Sequence, residues 1–131
     1  MTVAHTEANT GDGYSGSILY TWVLTTANPT GAALGPEIAQ MTDLCWHAIG
    51  GAGWGGATAA IQGSNTDTDA NYGAMTNASG GAAITWTADG APKQSIEKPA
   101  FVRPKLTTAG TAASVTVTLF ARCNPFSRSF K

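Results

Sequence analysis

Ala82-Ala83-Ile84-Thr85-Trp86-Thr87-Ala88, Phe101-Val102-Arg103-Pro104-Lys105-Leu106 and Ser114-Val115-Thr116-Val117-Thr118-Leu119-Phe120-Ala121-Arg122 decide the fold. Together with the Gly63-Ser64-Asn65 turn, Tyr72, Met75 and Gly80-Gly81, they make a run of short strands and the turns that close them. In each strand one side of the alternation is apolar: Ala82, Ile84 and Trp86; Val102, Pro104 and Leu106; Val115, Val117, Leu119 and Ala121. Residues two apart share one face of a strand, so this period places those side chains in a core and their neighbours outside it.

The same period extends toward the N-terminus. Ile18, Tyr20, Trp22 and Leu24 fall on one face, as do Leu44, Trp46 and Ala48, and Ala57, Ala59 and Ile61. Gly, Pro, Asn and Asp clusters separate the runs, and no segment sustains an i, i+3, i+4, i+7 apolar stripe. The expected fold is all-β, an antiparallel β-sandwich or jelly roll of about eight short strands. Pro104 lacks a ladder donor, which places its strand at an edge or a bulge. Residues 1–17 are polar and Gly-rich and read as an extended N-terminal arm, 18–123 as the sandwich domain, and 124–131 as a C-terminal tail.

Composition narrows function. Of 131 residues only 11% are charged and the net charge is -1, against a usual ~25% charged. The seven basic residues are dispersed, whereas a nucleic-acid binder needs clustered cations to displace counterions from phosphates. So sparse a charge gives little protection against association. The hydrophobic fraction of 43% is weighted toward alanine. A small alanine-rich core leaves a monomer of this size marginal, and oligomerisation is one remedy. No basic segment leads into an apolar run after Met1, and no run approaches the ~20 residues of a membrane helix. A soluble, cytosolically made protein without membrane contact is the expectation.

Candidate chemistry is thin. Gly51-Ala52-Gly53-Trp54-Gly55-Gly56 fits the dinucleotide pattern G-x-G-x-x-G, but that pattern works through the helix that follows it, and here a strand-like Ala/Thr/Ile run follows. Two readings of Trp54 stand open: a ring folded back over the sandwich end, or an anchor in a partner surface. Asp43, Cys45 and His47 share a strand face and are all metal-ligand types, yet are spread too far for one tetrahedral ion. Asn65, Asp67, Asp69 and Asn71 alternate as in calcium loops. An EF-hand register from Asp67 puts Tyr72 at the required glycine and Ala78 at the required glutamate, leaving an irregular calcium loop or a solvated Asx-rich turn. Gly13-Tyr14-Ser15-Gly16-Ser17 misses the nucleophile-elbow register, and His5 and His47 have no nucleophile in an activating context. Glu37 and Glu97 are isolated acids, read as surface charges rather than a glycosidase pair. No enzyme activity, cofactor or metal is expected. No disulfide is expected between Cys45 and Cys123, given cytosolic assembly, although strands facing each other across the sandwich would bring the two together.

The order of the blocks from Gly63 to Arg122 resembles the capsid decoration (cement) proteins of tailed phages, in which a Gly-Ser-Asn turn, an aromatic residue, a Trp-Thr-Ala strand, an aromatic-aliphatic-Arg-Pro strand and a final Thr/Val strand follow one another. The resemblance covers roughly the C-terminal half. It implies a structural virion protein on the outer surface of the head, bound to the major capsid protein and to itself, as a homotrimer. The residues expected to contact partners are Tyr14 in the arm, Trp54 in the glycine loop, and Phe126, Arg128 and Phe130 in the tail. The alternative is a carbohydrate-binding β-sandwich of a fibre or tail, with Trp54, Tyr72 and Trp86 as candidate stacking platforms. A third reading within the virion is a tail-tube, adaptor or head-completion protein.

Overall fold

The computed structural model describes residues 3–9 and 16–123 of the chain. Nine strands run in the order β1 (Val3–Asn9), β2 (Gly16–Thr25), β3 (Met41–Ile49), β4 (Thr58–Ser64), β5 (Gly73–Ala74), β6 (Thr85–Trp86), β7 (Lys93–Gln94), β8 (Phe101–Thr108) and β9 (Ser114–Cys123). Short 3-10 turns at Pro36–Gln40, Gly51–Gly53 and Asp69–Asn71 are the only helical segments among the described residues. The strands form two antiparallel sheets. One has the order β1-β2-β9-β3-β7; in the other, β4 pairs with β8 and with β5 and β6. The fold is a β-sandwich.

The expected inner faces meet between the sheets. Trp22, Leu24, Leu44, Trp46, Ala48, Val115, Val117, Leu119 and Ala121 from the first sheet are fully buried against Ala59, Ile61, Ile84, Val102 and Leu106 from the second. The indoles of Trp22 and Trp46 stack at 5.9 Å between centroids and 23° between planes. Each also places its polar edge: Trp22 Nε1 donates to the carbonyl of Ala32 (2.9 Å) and Trp46 Nε1 to the hydroxyl of Ser95 (3.2 Å). Buried indole N–H groups need such partners, and both come from connections rather than strands.

Three local outcomes bear on the reading of the sequence. First, the expected arm is partly a strand: β1 pairs with β2 along its whole length, from Val3 opposite Trp22 to Asn9 opposite Gly16. Ladder hydrogen bonds need no apolar alternation at a sheet edge, so a polar segment can pair where periodicity is silent. Second, β8 is an edge strand, as Pro104 implies: β4 is its one partner strand among the described residues, and its far side is flanked only by residues 29–34, through the isolated bridges Thr30 to Lys105 and Leu34 to Val102. Val102 N and Leu106 N donate to Leu34 and Pro29 on that side, and the carbonyl of Pro104 accepts from Gly31 N at 2.9 Å. The missing proline donor therefore borders an irregular segment and not the β4 ladder. Gly31 is required there, because a Cβ would lie 2.8 Å from Pro104 Cγ and 2.9 Å from Trp22 Cδ1. Third, Cys45 and Cys123 lie on neighbouring strands of one sheet, not across the sandwich. Cys45 is opposite Phe120, Cys123 is opposite Met41, and Cys45 is a free thiol. Burial pushes that thiol above its ordinary pKa.

Candidate interaction surface

The Gly-rich loop after β3 is held down at its tip. Asp89 Oδ1 accepts hydrogen bonds from Gly50 N (2.8 Å), Gly51 N (3.0 Å) and Trp54 Nε1 (2.7 Å). These donors, the indole first, hold the Asp89 carboxyl below its usual range. Trp54 is only 7% exposed and belongs to the core. Its expected role as a partner anchor is therefore corrected: the ring folds back over the end of the sandwich, where Asp89, 35 residues away, takes its N–H. Gly51–Gly53 leads into a strand rather than a helix, so the dinucleotide-like pattern has no anion site behind it.

A second polar cluster covers the outer face of the smaller sheet. Arg103 is 7% exposed. Its Nε donates to Gln62 Oε1 (3.0 Å), an Nη donates to Asp69 (2.8 Å), and its guanidinium lies 3.8 Å from the ring centroid of Tyr72. The Tyr72 hydroxyl in turn donates to Asp67 (2.7 Å). Desolvation and then that carboxylate push the phenol up to about 12. Asn71 Nδ2 donates to Thr66 Oγ1, and Ala100 N donates to Asn65 Oδ1. The acids of the suspected calcium loop are thus turned toward donors of the protein. No group of three or more potential metal ligands of the His, Cys, Asp or Glu type converges among the described residues. An open pocket of about 300 Å³ beside this cluster is floored by Met75 and edged by Ser64, Asn71 and Glu97. The Glu97 carboxylate is occupied by Thr76 N (2.7 Å) and Thr76 Oγ1 (2.5 Å), which lower its pKa.

The three candidate sugar platforms are not free rings. Trp54 and Trp86 are buried, Trp86 Nε1 donates to Ala91 (3.1 Å), and Arg103 occupies one face of Tyr72. Asp43, Cys45 and His47 share the outer face of β3, but His47 Nε2 is bonded to the Gly90 carbonyl (2.8 Å) and Asp43 accepts from Gln94 (3.3 Å). Tyr14, Phe126, Arg128 and Phe130 lie outside the described residues.

What the sequence reading did not single out is the outer face of the five-stranded sheet. Strand register sets its side chains in rows: Val23, Thr116 and Ile49; Thr21, Thr118 and His47; Leu19, Phe120, Cys45 and Gln94; Ser17, Arg122 and Asp43. Four large apolar side chains are exposed there, Leu19 at 36%, Val23 at 38%, Phe120 at 41% and Ile49 at 48%. The one other exposed large hydrophobic residue described, Ile96, lies elsewhere, between β7 and β8. Scattered exposed apolar residues are ordinary, but several gathered on one face mark a contact surface. The signal was present in the alternation, since Leu19, Val23, Ile49 and Phe120 interrupt a face otherwise made of Ser, Thr, His, Cys, Gln and one Asp–Arg pair of positions. It became visible only when register aligned four residues from three strands. No protein-family model, curated protein or solved structure matches this chain.

Proposed function

We propose that the protein is a structural component of a virion, a capsid decoration protein that acts by association alone. The observation that carries this reading is the outer face of the five-stranded sheet, with four exposed large apolar side chains among neutral threonines. Such a face gains by being covered, at ~25 cal/mol per Å² of apolar surface removed from water. Among the described residues no buried side-chain polar atom lacks a hydrogen-bond partner, which suits scaffolding better than ligand capture. The strand order supports a jelly-roll winding as the finer description. The chain passes from β2 to the bridged segment 29–34, back to β3, across to β4, and after β7 crosses twice more through β8 to β9.

The mechanism is linkage. A protein that binds only the intact shell stabilises it by mass action, by ~2.7 kcal/mol per site at ~100 times its dissociation constant. Its partners on this reading are the major capsid protein and its own copies, on the outer surface of the head. The test compares phage particles with and without this chain for survival of heating and for adsorption to cells. Earlier heat inactivation with unchanged adsorption supports the proposal. Impaired adsorption with unchanged heat survival rejects it in favour of a receptor- or sugar-binding role.

A further inference from the structure

We infer that the outer face of the five-stranded sheet is a homotypic interface, covered by the same face of a second copy of this chain. The inference rests on reading that face as a contact surface but not on the assembly being a capsid.

Charge on the face selects the partner. Among its described side chains the ionised groups are Asp43 and Arg122, which stand opposite each other in register at one end. The rest of the surface is Leu19, Val23, Ile49 and Phe120 among threonines, His47, Cys45 and Gln94. A face with one acid and one base side by side offers no net charge to a strongly acidic or basic partner. It does match itself. With a two-fold axis along the strands between β9 and β3, β9 of each copy lies over β3 of the other. Arg122 of each copy then faces Asp43 of the second, while Phe120 and Ile49 of both enter the shared layer. The only ion pair between described side chains is Arg103 with Asp69 on the other sheet, so neither Asp43 nor Arg122 has a charged partner among them, and Asp43 Oδ1 accepts only from the neutral Gln94 at 3.3 Å.

The area is that of a modest interface. Strands spaced ~4.8 Å apart and rising ~3.3 Å per residue give a flat footprint of about 440 Å² over seven residues each of β1, β2, β9 and β3, with the two-residue β7 adding little. The relief of the side chains carries the accessible area toward the ~800 Å² per partner of a stable interface. Two identical faces meeting this way close on a two-fold axis, so this contact builds a dimer. The homotrimer expected from the resemblance would need a different, heterologous contact.

The experiment is sedimentation velocity on the purified full chain from about 10 nM, with fluorescence detection, to about 100 µM, a span that brackets Kd values from the nanomolar to the micromolar range. The wild type should sediment as a dimer, and Phe120→Asp and Val23→Lys should each give a monomer with an unchanged β-type circular dichroism spectrum. Asp43→Arg alone makes both charges of the face positive, and Arg122→Asp alone makes both negative. Each should weaken self-association at least tenfold, and an equimolar mixture of the two should recover a dimer. Repair of a contact within one chain cannot produce that recovery, because neither chain in the mixture regains its own acid-base pair. A monomeric wild type at the highest concentration overturns the inference, as does a dimer that survives Phe120→Asp and Val23→Lys. A wild type that stays monomeric yet loses attachment to phage heads on Phe120→Asp would assign the face to the capsid instead. Unchanged heat survival of particles lacking a dimeric protein would reject the capsid role and leave the dimer standing.

Discussion

Replacing Trp54 separates its two readings cleanly. As a buried core side chain 7% exposed, its truncation to alanine should cost ~3–5 kcal/mol, the range for large aromatic residues in cores. With ~2.1 cal/mol/K of unfolding entropy per residue, each kcal/mol moves the midpoint of a domain of about 120 residues by roughly 4 °C. Trp54→Ala should therefore lower Tm by roughly 12–20 °C. Trp54→Phe keeps most of the apolar volume but removes the N–H that reaches Asp89 at 2.7 Å. Solvent reaches the Asp89 carboxylate and weakens that hydrogen bond, so a drop in Tm much smaller than that of Trp54→Ala is expected for this variant. The indole is also the largest cause of the lowered Asp89 pKa, so Trp54→Phe should move that carboxyl back up toward its ordinary value. Differential scanning calorimetry and a carbon-detected NMR titration of the Asp89 carboxyl read the two effects. A Trp54→Ala protein with unchanged Tm and weakened association would refute the buried placement and restore the anchor.

Other expected outcomes are as direct. Because the folded pKa of Asp89 lies below its unfolded value, its contribution to stability is complete above the unfolded value and is lost as pH falls through the folded one; Asp89→Asn should flatten that acid limb in urea unfolding curves taken from pH 5 to 2. Tyr72 titrates at about 12, so the stability it contributes is present below pH ~10 and lost as pH rises toward 12. Ultraviolet titration should show Asp67→Asn lowering its midpoint, with the desolvation part of the shift retained. Gly55 has φ +54°, and a Cβ there would lie 2.1 Å from the Thr111 carbonyl oxygen, so Gly55→Ala should destabilise by more than ~1 kcal/mol in chemical unfolding. Cys45 should be alkylated in the unfolded, unreduced protein, and an intact mass two hydrogens light with no alkylation would contradict the free thiol.

Legibility in the sequence followed the range of the forces involved. The inner-face residues assigned from alternation in the longest strands are buried, from Leu44, Trp46 and Ala48 to Val115, Val117, Leu119 and Ala121, with Ile18 at the start of β2 only half-buried, because period two is a local property of the chain. Ala82 broke the pattern: it precedes the two-residue β6 and is exposed, while Ile84 and Trp86 are buried. The burial of Arg103 was not legible, since its partners Gln62, Asp69 and Tyr72 come from another strand and a distant loop. Trp54 was undecided for the same reason, with Asp89 far along the chain. The apolar outer face needed register, which alternation within single strands does not supply.

The position of β9 between β2 and β3 has a consequence for biosynthesis. β2 and β3 have no ladder with each other; each reaches its neighbour only through β9, and about ninety residues separate Thr25 from its partner Ser114. At ~5–20 residues per second, β2 waits roughly 5–20 s on the ribosome before that partner exists. Throughout that interval Trp22 and Leu24 have no finished layer to enter, and a translating chain must be kept from pairing with a neighbouring nascent copy. The larger sheet therefore closes late and from its middle, which makes β9 the strand whose loss during synthesis leaves an aggregating fragment rather than a smaller domain.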